Sequence, residues 1–336
     1  MRRTCFIGTA ALCAGALLGL AAPARAELAA ITVAKQYGIS YLPLMLMEDG
    51  NLIEKQAKAA GIDVKVRWAT FAGGNVMNDA LLSDSLQIAS GGVGPLITLW
   101  SRTRGNLDVR GVGALNSMPL YLVSRNPRVK TVSDLSDKDR IALPAVKISV
   151  QALALQMAAE QTFGPGQQNR LDALTVSMAH PDAMQALLSG QSEVNAHFGS
   201  PPFQYQELAK PGMHKVLNNY DVLGGAVTFN VVWTTAKFRS DNPKLYAAFV
   251  AALDEAEATI NRDKRAAAEA YLRISKDKDT ADDIERMLND PQVVFTTTPQ
   301  NVMKYADFMY ATGAIKVKPD SWKELFFPNV HALPGS

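Results

Sequence analysis

A knot of glycines, a lysine in a loop, four scattered histidines and a serine at a strand end are the residues able to do chemistry here. The densest stretch is Leu86-Gln87-Ile88-Ala89-Ser90-Gly91-Gly92-Val93-Gly94-Pro95, an apolar run entering glycines and then a helical pattern. A nucleotide-phosphate loop needs Lys followed by Ser or Thr after its last glycine, to reach phosphate and magnesium. Pro95 and Leu96 stand there instead, so that chemistry is excluded. A dinucleotide fingerprint fails as well, because Gly92-x-Gly94 runs on into Pro95, Leu96 and Ile97 without a third glycine in frame. What remains is a strand end with bare backbone, opening on a helix N-terminus whose free N–H groups and partial positive charge suit an anion or polar ligand. A tight packing turn is the competing reading.

The histidines, His180, His197, His214 and His331, show no metal-ligand spacing. His180 and His197 each end a predicted strand and can meet in one site as neutral hydrogen-bonding groups. No Gly-x-Ser-x-Gly elbow exists, and Ser200 is followed by Pro201, which lacks the N–H an oxyanion donor would need. Lys147 reads as a partner for a ligand anion or a surface lysine rather than a Schiff-base nucleophile. Aromatic residues Tyr37, Tyr41, Phe71 and Phe198 gather at predicted strand ends, where two or three should line a pocket, while Trp68 reads as core. The sequence thus predicts no catalytic residue, no metal and no cofactor.

The N-terminus sets the compartment. Arg2 and Arg3, the apolar run 6–22 and Ala24-Arg25-Ala26 form a secretory signal peptide, residues 1–26, with cleavage after Ala26. The Arg2-Arg3 pair keeps twin-arginine export as an alternative to the general route. Both cysteines, Cys5 and Cys13, fall in this peptide, and Leu12 is not the small residue a lipid-anchor site requires. The mature chain is therefore free of disulfides and thiolate metal sites, and a large core must stabilise it. Removing three arginines and no acid turns the formal charge of +2 into −1. A near-neutral surface argues against nucleic acid as a partner. The expected location is the periplasm.

Strands and helices alternate: strands over 31–34, 64–68 and 86–89, then 139–143, 174–178, 194–198 and 226–235, with helices between them. Pro43 opens the first helix and Gly50 ends it. Units of this length imply parallel strands with right-handed crossovers. A helical tail follows, its first helix capped by Ser240 or Asp241, with Leu245, Phe249, Leu253, Ala256 and Ile260 as apolar stripe and Asp254, Glu255, Glu257 and Lys264 as solvated face. Ligands of such α/β sheets sit at strand carboxyl ends, here the loops 36–41, 70–74, 90–95, 145–150, 179–182 and 197–202.

In order along the chain, Tyr41-Leu42-Pro43-Leu44, Asp49-Gly50-Asn51-Leu52, Phe71-Ala72-Gly73-Gly74, Ala89-Ser90-Gly91-Gly92-Val93-Gly94-Pro95, Thr131-Val132-Ser133-Asp134-Leu135 and Ala186-Leu187-Leu188-Ser189-Gly190-Gln191 carry a likeness. On these the sequence resembles the periplasmic solute-binding proteins of the nitrate/sulfonate/taurine branch, which also holds thiamine-precursor binders. The resemblance implies an α/β, bilobal periplasmic-binding-protein fold of type II, with two lobes joined by two crossover hinge strands and a helical C-terminal tail. Lobe one would be 27–117 and 225–336, lobe two 118–224. It further implies a small, anionic organic solute of sulfonate, taurine or carboxylate type, held in the inter-lobe cleft by hinge closure, and no enzymatic activity. An ABC permease of the inner membrane would be the partner of a monomeric binding protein. Apolar walls would come from Tyr37, Tyr41, Phe71 and Phe198. Gly92 and Val93 backbone, Thr70, Asn116, Lys147 and Ser149 would hold the polar end, with His180, His197 and Ser200 closing from lobe two. The loop Val146-Lys147-Ile148-Ser149-Val150 departs from the Gly-Ser-Ser or Gly-Ser-Thr pattern of many sulfonate binders, which leaves the ligand class open. A ligand sensor for a membrane receptor is the alternative role. A pyrimidine-synthesising enzyme of the same fold is disfavoured by the absence of mature Cys.

Overall fold

A computed structural model describes residues 26–336; the predicted signal peptide, apart from Ala26, lies outside the described residues. Ten strands occur among them: β1 (Ala30–Lys35), β2 (Lys65–Thr70), β3 (Ala89–Gly92), β4 (Arg110–Ala114), β5 (Tyr121–Ser124), β6 (Ile141–Leu143), β7 (Thr175–Ser177), β8 (Ala196–Phe198), β9 (His214–Asn218) and β10 (Asn230–Thr234). β1 pairs with β2 in parallel, and β10 runs antiparallel between β3 and β4. A parallel bridge from Val33 to Ile88, with the Ala34 N–H donating to the Ile88 carbonyl at 2.9 Å, joins these into one layer. The second sheet has the order β7-β6-β8-β5-β9, with β5 antiparallel to both neighbours.

Both sheets share one plan. The first strand lies between the second and third, and the reversed fourth position is filled by the strand arriving from the other sheet, β10 in one and β5 in the other. The links hydrogen-bond to each other where they pass. Leu115 N–H donates to the Asn230 carbonyl at 2.8 Å, Phe229 N–H to the Asn116 carbonyl at 2.9 Å, and Ser117 bridges Thr228. Val294 from the tail pairs with Ser117 on its other side, with both backbone bonds at 2.8 Å. Each half buries an apolar core, and one cluster runs continuously from Val93, Leu96 and Trp233 to Val150, Leu153 and Leu155. The helix Val150–Phe163 is buried over its first ten residues, which explains its lack of a polar face.

Some boundaries differ from the sequence reading for identifiable reasons. The third strand is Ala89–Gly92 rather than 86–89, because its ladder partners are Gly92 to Ala89 against Asn230 to Trp233. The first tail helix, Pro243–Arg262, begins after Asn242, not Ser240 or Asp241. Those two residues belong to a short helix, Ala236–Asp241, capped by Thr235, whose Oγ accepts from Phe238 N–H at 3.0 Å. The predicted stripe Leu245 to Ile260 is buried throughout. Glu257, however, is not on a solvated face; it is buried, and its Oε1 has no partner among the described residues.

Burial first, then the charge of Asp254, pushes the Glu257 carboxyl well above the usual carboxylate range. Its folded pKa is thus raised above the unfolded value. Stability from the neutral carboxyl is full below the ordinary carboxylate pKa and is lost as pH rises through the folded value. Glu257→Gln should therefore raise the melting temperature at about pH 8 by roughly 2–4 °C, with the gain vanishing near about pH 4. Melting curves of both proteins across that range check this; a constant difference at every pH would refute it.

Candidate functional site

Four helices begin where the two sheets face each other: Gly74–Leu82, Val93–Thr103, Val150–Phe163 and His180–Ser189. Each follows a strand of the 2-1-3 set, so the carboxyl ends of the parallel strands put the helix N-termini on one gap. Helix starts leave backbone N–H groups unpaired and carry partial positive charge. Ser149 caps the third, its Oγ accepting from Ala152 N–H at 3.2 Å. Gln36 directly follows β1, and Phe229 and Asn230 come from the returning link and the start of β10.

Between these elements lies a cavity of about 20 Å³, lined among others by Gln36, Tyr41, Gly92, Ser149, Gln151, His180, Phe229 and Asn230. That is little more than one water needs. No Lys, Arg, Asp or Glu is among its lining residues in the described part of the chain. Asn230 is fully buried; its Oδ1 accepts from Tyr41 Oη at 3.4 Å, while Nδ2 has no partner among the described residues. A buried amide donor without an acceptor is costly. Burial raises the Tyr41 phenol far above its ordinary range, so it stays a neutral donor. Gln36 Nε2 reaches the Ser90 carbonyl only at 3.5 Å. Ser149 Oγ, Asn230 Nδ2 and the helix-start N–H groups give the site a donor-rich, uncharged interior.

Behind the cavity wall three titratable groups stand in line. His180 Nδ1 is 2.8 Å from His197 Nε2, and His197 Nδ1 is 2.5 Å from Glu207 Oε1. Gln151 Nε2 is 3.4 Å from His180 Nε2. Burial, and secondarily His197, holds His180 well below the usual histidine range. His214 and His331 bond backbone carbonyls elsewhere. No group of three His, Cys, Asp or Glu among the described residues is arranged to hold a metal ion.

Of the residues singled out from the sequence, Tyr41, Gly92, Ser149 and His180 line the cavity. His197 sits one shell behind, and Asn116 is buried at the link, its Nδ2 donating to the Ser40 carbonyl at 2.5 Å. Val93 is core, and its N–H is taken by the Phe229 carbonyl at 3.1 Å. Phe198 is fully buried in the core and Ser200 is buried. Thr70 and Lys147 are exposed, Tyr37 is 41 % exposed, and Phe71 is half-buried; none of the four lines the cavity. Sequence reasoning passed over Gln36, Gln151, Phe229 and Asn230. Gln36 and Gln151 had a signal, as polar residues at a strand end and in the first turn of an otherwise apolar helix. Asn230 heads an apolar strand, Asn-Val-Val-Trp-Thr, where a buried amide is out of place.

The glycines answer to the opposite half rather than to a phosphate. A methyl on Gly73 would lie 2.5 Å from the Pro144 carbonyl oxygen, one on Gly92 2.8 Å from Val150 Cγ2, and one on Gly94 2.1 Å from the Ile148 carbonyl oxygen. Ile39 N–H donates to the Pro201 carbonyl at 3.2 Å across the same gap. The halves are therefore closed on each other, backbone against backbone.

The chain has the bilobal α/β fold of periplasmic solute-binding proteins. The alkanesulfonate-binding protein SsuA from Xanthomonas axonopodis pv. citri, bound to MOPS, superposes with a TM-score of 0.67 at 21% identity, covering 86% of this chain and 95% of that one. The periplasmic aliphatic sulphonate binding protein SsuA from Escherichia coli gives 0.63 at 21%, covering 90% and 99%. The periplasmic nitrate-binding protein NrtA from Synechocystis PCC 6803 gives 0.59 at 15%, covering 80% and 74%. No family model matches the chain, and no curated protein matches it in sequence.

Gly94→Ala sets its methyl against the Ile148 carbonyl oxygen and the buried Leu153 side chain of the opposite half. It should hold the halves apart. With a stabilising solute present, solution scattering should give a larger radius of gyration than the parent, and the solute should stabilise the variant less. Identical scattering and identical stabilisation would refute the contact's importance.

Proposed function

We propose that this chain is the periplasmic solute-binding component of an ABC importer. It would capture a small anionic solute between its halves and present the closed form to an inner-membrane permease. The observation that carries the reading is the cavity itself: two sheets of one topology aim four helix N-termini and a set of uncharged donors, with the unpartnered Asn230 amide, at one point between them. Neutral donors and helix dipoles stabilise an anion without a counter-charge. The structural likeness to sulfonate- and nitrate-binding proteins supports the same role.

The paired links 115–117 and 227–230 would be the hinge, with 27–117 and 225–336 moving against 118–224. A carboxylate, sulfonate or taurine head fits the donor set. The cavity of about 20 Å³ would have to widen to admit any of these heads, and least for nitrate. Export by the signal peptide and action as a monomer complete the proposal.

The test is a thermal-shift panel on the exported protein, unfolded and refolded to strip any captured solute, with alkanesulfonates, taurine, carboxylates, nitrate and bicarbonate. A true ligand at 100 times its dissociation constant should add about 2.7 kcal/mol, or roughly 5–10 °C. Asn230→Ala should then weaken that ligand about tenfold, the worth of one lost hydrogen bond to a charged group. A flat panel from well-folded protein would sink the anion reading.

A further inference from the structure

Glu207, His197 and His180 run in single file from the interior of the second half to the cavity. Glu207 and His197 are fully buried, His180 nearly so. The Phe203 ring stacks on His180 at 5.6 Å and 23°, which fixes the imidazole plane. Glu207 Oε2 has no partner among the described residues. Such a chain, closed at its inner end and open to a binding cavity at the other, has few options for its protons.

A neutral imidazole donates from one nitrogen and accepts at the other, so the hydrogen bonds of the chain must all point one way. Suppose first that the chain holds enough protons to be neutral overall. Either Glu207 is protonated and donates to His197 Nδ1, or Glu207 is a carboxylate beside a His197 imidazolium. In both cases His197 Nε2–H donates to His180 Nδ1, and His180 Nε2–H points toward the cavity. Gln151 can accept that hydrogen through its Oε1 and turn its own NH₂ toward a guest. Remove one proton and every bond reverses. His197 Nδ1–H then donates to the Glu207 carboxylate, His180 Nδ1–H donates to His197 Nε2, and His180 Nε2 faces the cavity as an acceptor. The reversed chain carries a net negative charge in a buried place with an open carboxylate oxygen, which is unfavourable.

Charged groups stand nearby: Asp277 and Asp279 accept from Gln206 Nε2, on the helix of Glu207, at 2.9 and 3.0 Å, and Lys215 Nζ lies 4.6 Å from the Tyr121 ring. The elements packed on the chain contribute Asp182, exposed on the helix His180–Ser189, Tyr205 on the helix of Glu207, and Tyr121 from β5. β6 contributes no titratable group, Glu160 lies at the far end of the helix that begins beside the cavity, and Tyr41 faces from across it. Tyr121 and Tyr205 pack edge to face on each other, and burial raises all three phenols. No Lys or Arg lines the cavity among the described residues. Burial and its histidine neighbour keep His180 from becoming a cation itself, so it passes on direction rather than charge.

We propose that Glu207–His197–His180 is the specificity-determining end of the cavity: holding one shared proton it presents a donor to an anionic head, and losing that proton it presents an acceptor and rejects the anion. The inference rests on the solute-capture reading above and deepens it. Capture of an anion becomes capture of an anion with a proton. The sign is fixed: the donor form exists below the transition of the chain, so anion affinity falls as pH rises through it, and binding above it takes up a proton.

The test has two independent arms. In the first, long-range ¹⁵N–¹H spectra of the histidine-labelled exported protein follow both rings from about pH 5 to about pH 9, the span in which histidine-linked protons move. His180 and His197 should invert their tautomers together in one transition, and Glu207→Gln, whose amide is neutral in either direction, should abolish it. Tautomers that stay fixed in the parent overturn the proposal without any variant. In the second, calorimetry with nitrate, acetate and methanesulfonate in buffers of different ionisation enthalpy measures affinity and proton uptake. Above the transition affinity should drop about tenfold per pH unit, as expected for one linked proton, and be flat in Glu207→Gln. An anion bound with pH-independent affinity overturns the proton coupling alone and leaves solute capture standing. Failure of all three to bind overturns the coupling together with the anion reading. Which of the three binds separates nitrate, carboxylate and sulfonate heads.

Discussion

The pairing of the two links is the constraint on which the rest depends. Leu115 to Ser117 and Val227 to Asn230 bond to each other, and each link then enters the opposite sheet as its reversed strand. Neither sheet is complete without the strand the other half sends it. The same residues also reach the cavity: Phe229 and Asn230 form part of its wall. A guest that engages the Asn230 amide therefore touches the segment about which the halves would turn. Bracing by Val294 on the outer side of Ser117 ties the tail helices to this junction as well.

The second organising fact is close approach. Two α/β units can shut on each other to leave only about 20 Å³ because Gly73, Gly92 and Gly94 present backbone where other residues would present a side chain. Backbone contact brings carbonyl groups and helix starts of both halves within reach of the same guest. It also explains why glycines that resemble a phosphate loop in sequence lack the lysine such a loop needs. Their neighbour is a second lobe.

Much of this was legible in the sequence. Seven of the strands with the helices between them, the loops at strand carboxyl ends and the apolar stripe of the first tail helix follow from periodicity and turn residues, whereas β4, β5 and β9 do not stand out in the pattern. Four cavity residues, Tyr41, Gly92, Ser149 and His180, lie in loops the pattern marks. Other parts were not legible because they depend on contacts between distant segments. Asn230 looks like a flaw in an apolar strand until the returning link carries it to the cavity. Glu257 looks solvated on a helical wheel, yet neighbouring tail segments cover it. Lys147, the one cation among the residues predicted for the site, takes a positive φ of 67° in its loop and is exposed. Only a backbone trace shows that its charge is absent from the lining.

The four helices that start at the cavity run away from it to end at Leu82, Thr103, Phe163 and Ser189. Their peptide dipoles are thus arranged like the plates of a radial capacitor, positive inward and negative outward. A field built from amides does not titrate, so the pull on an anion would be the same in acid and in alkali. Such a site would keep its attraction constant and leave the response to pH to a single buried file of side chains.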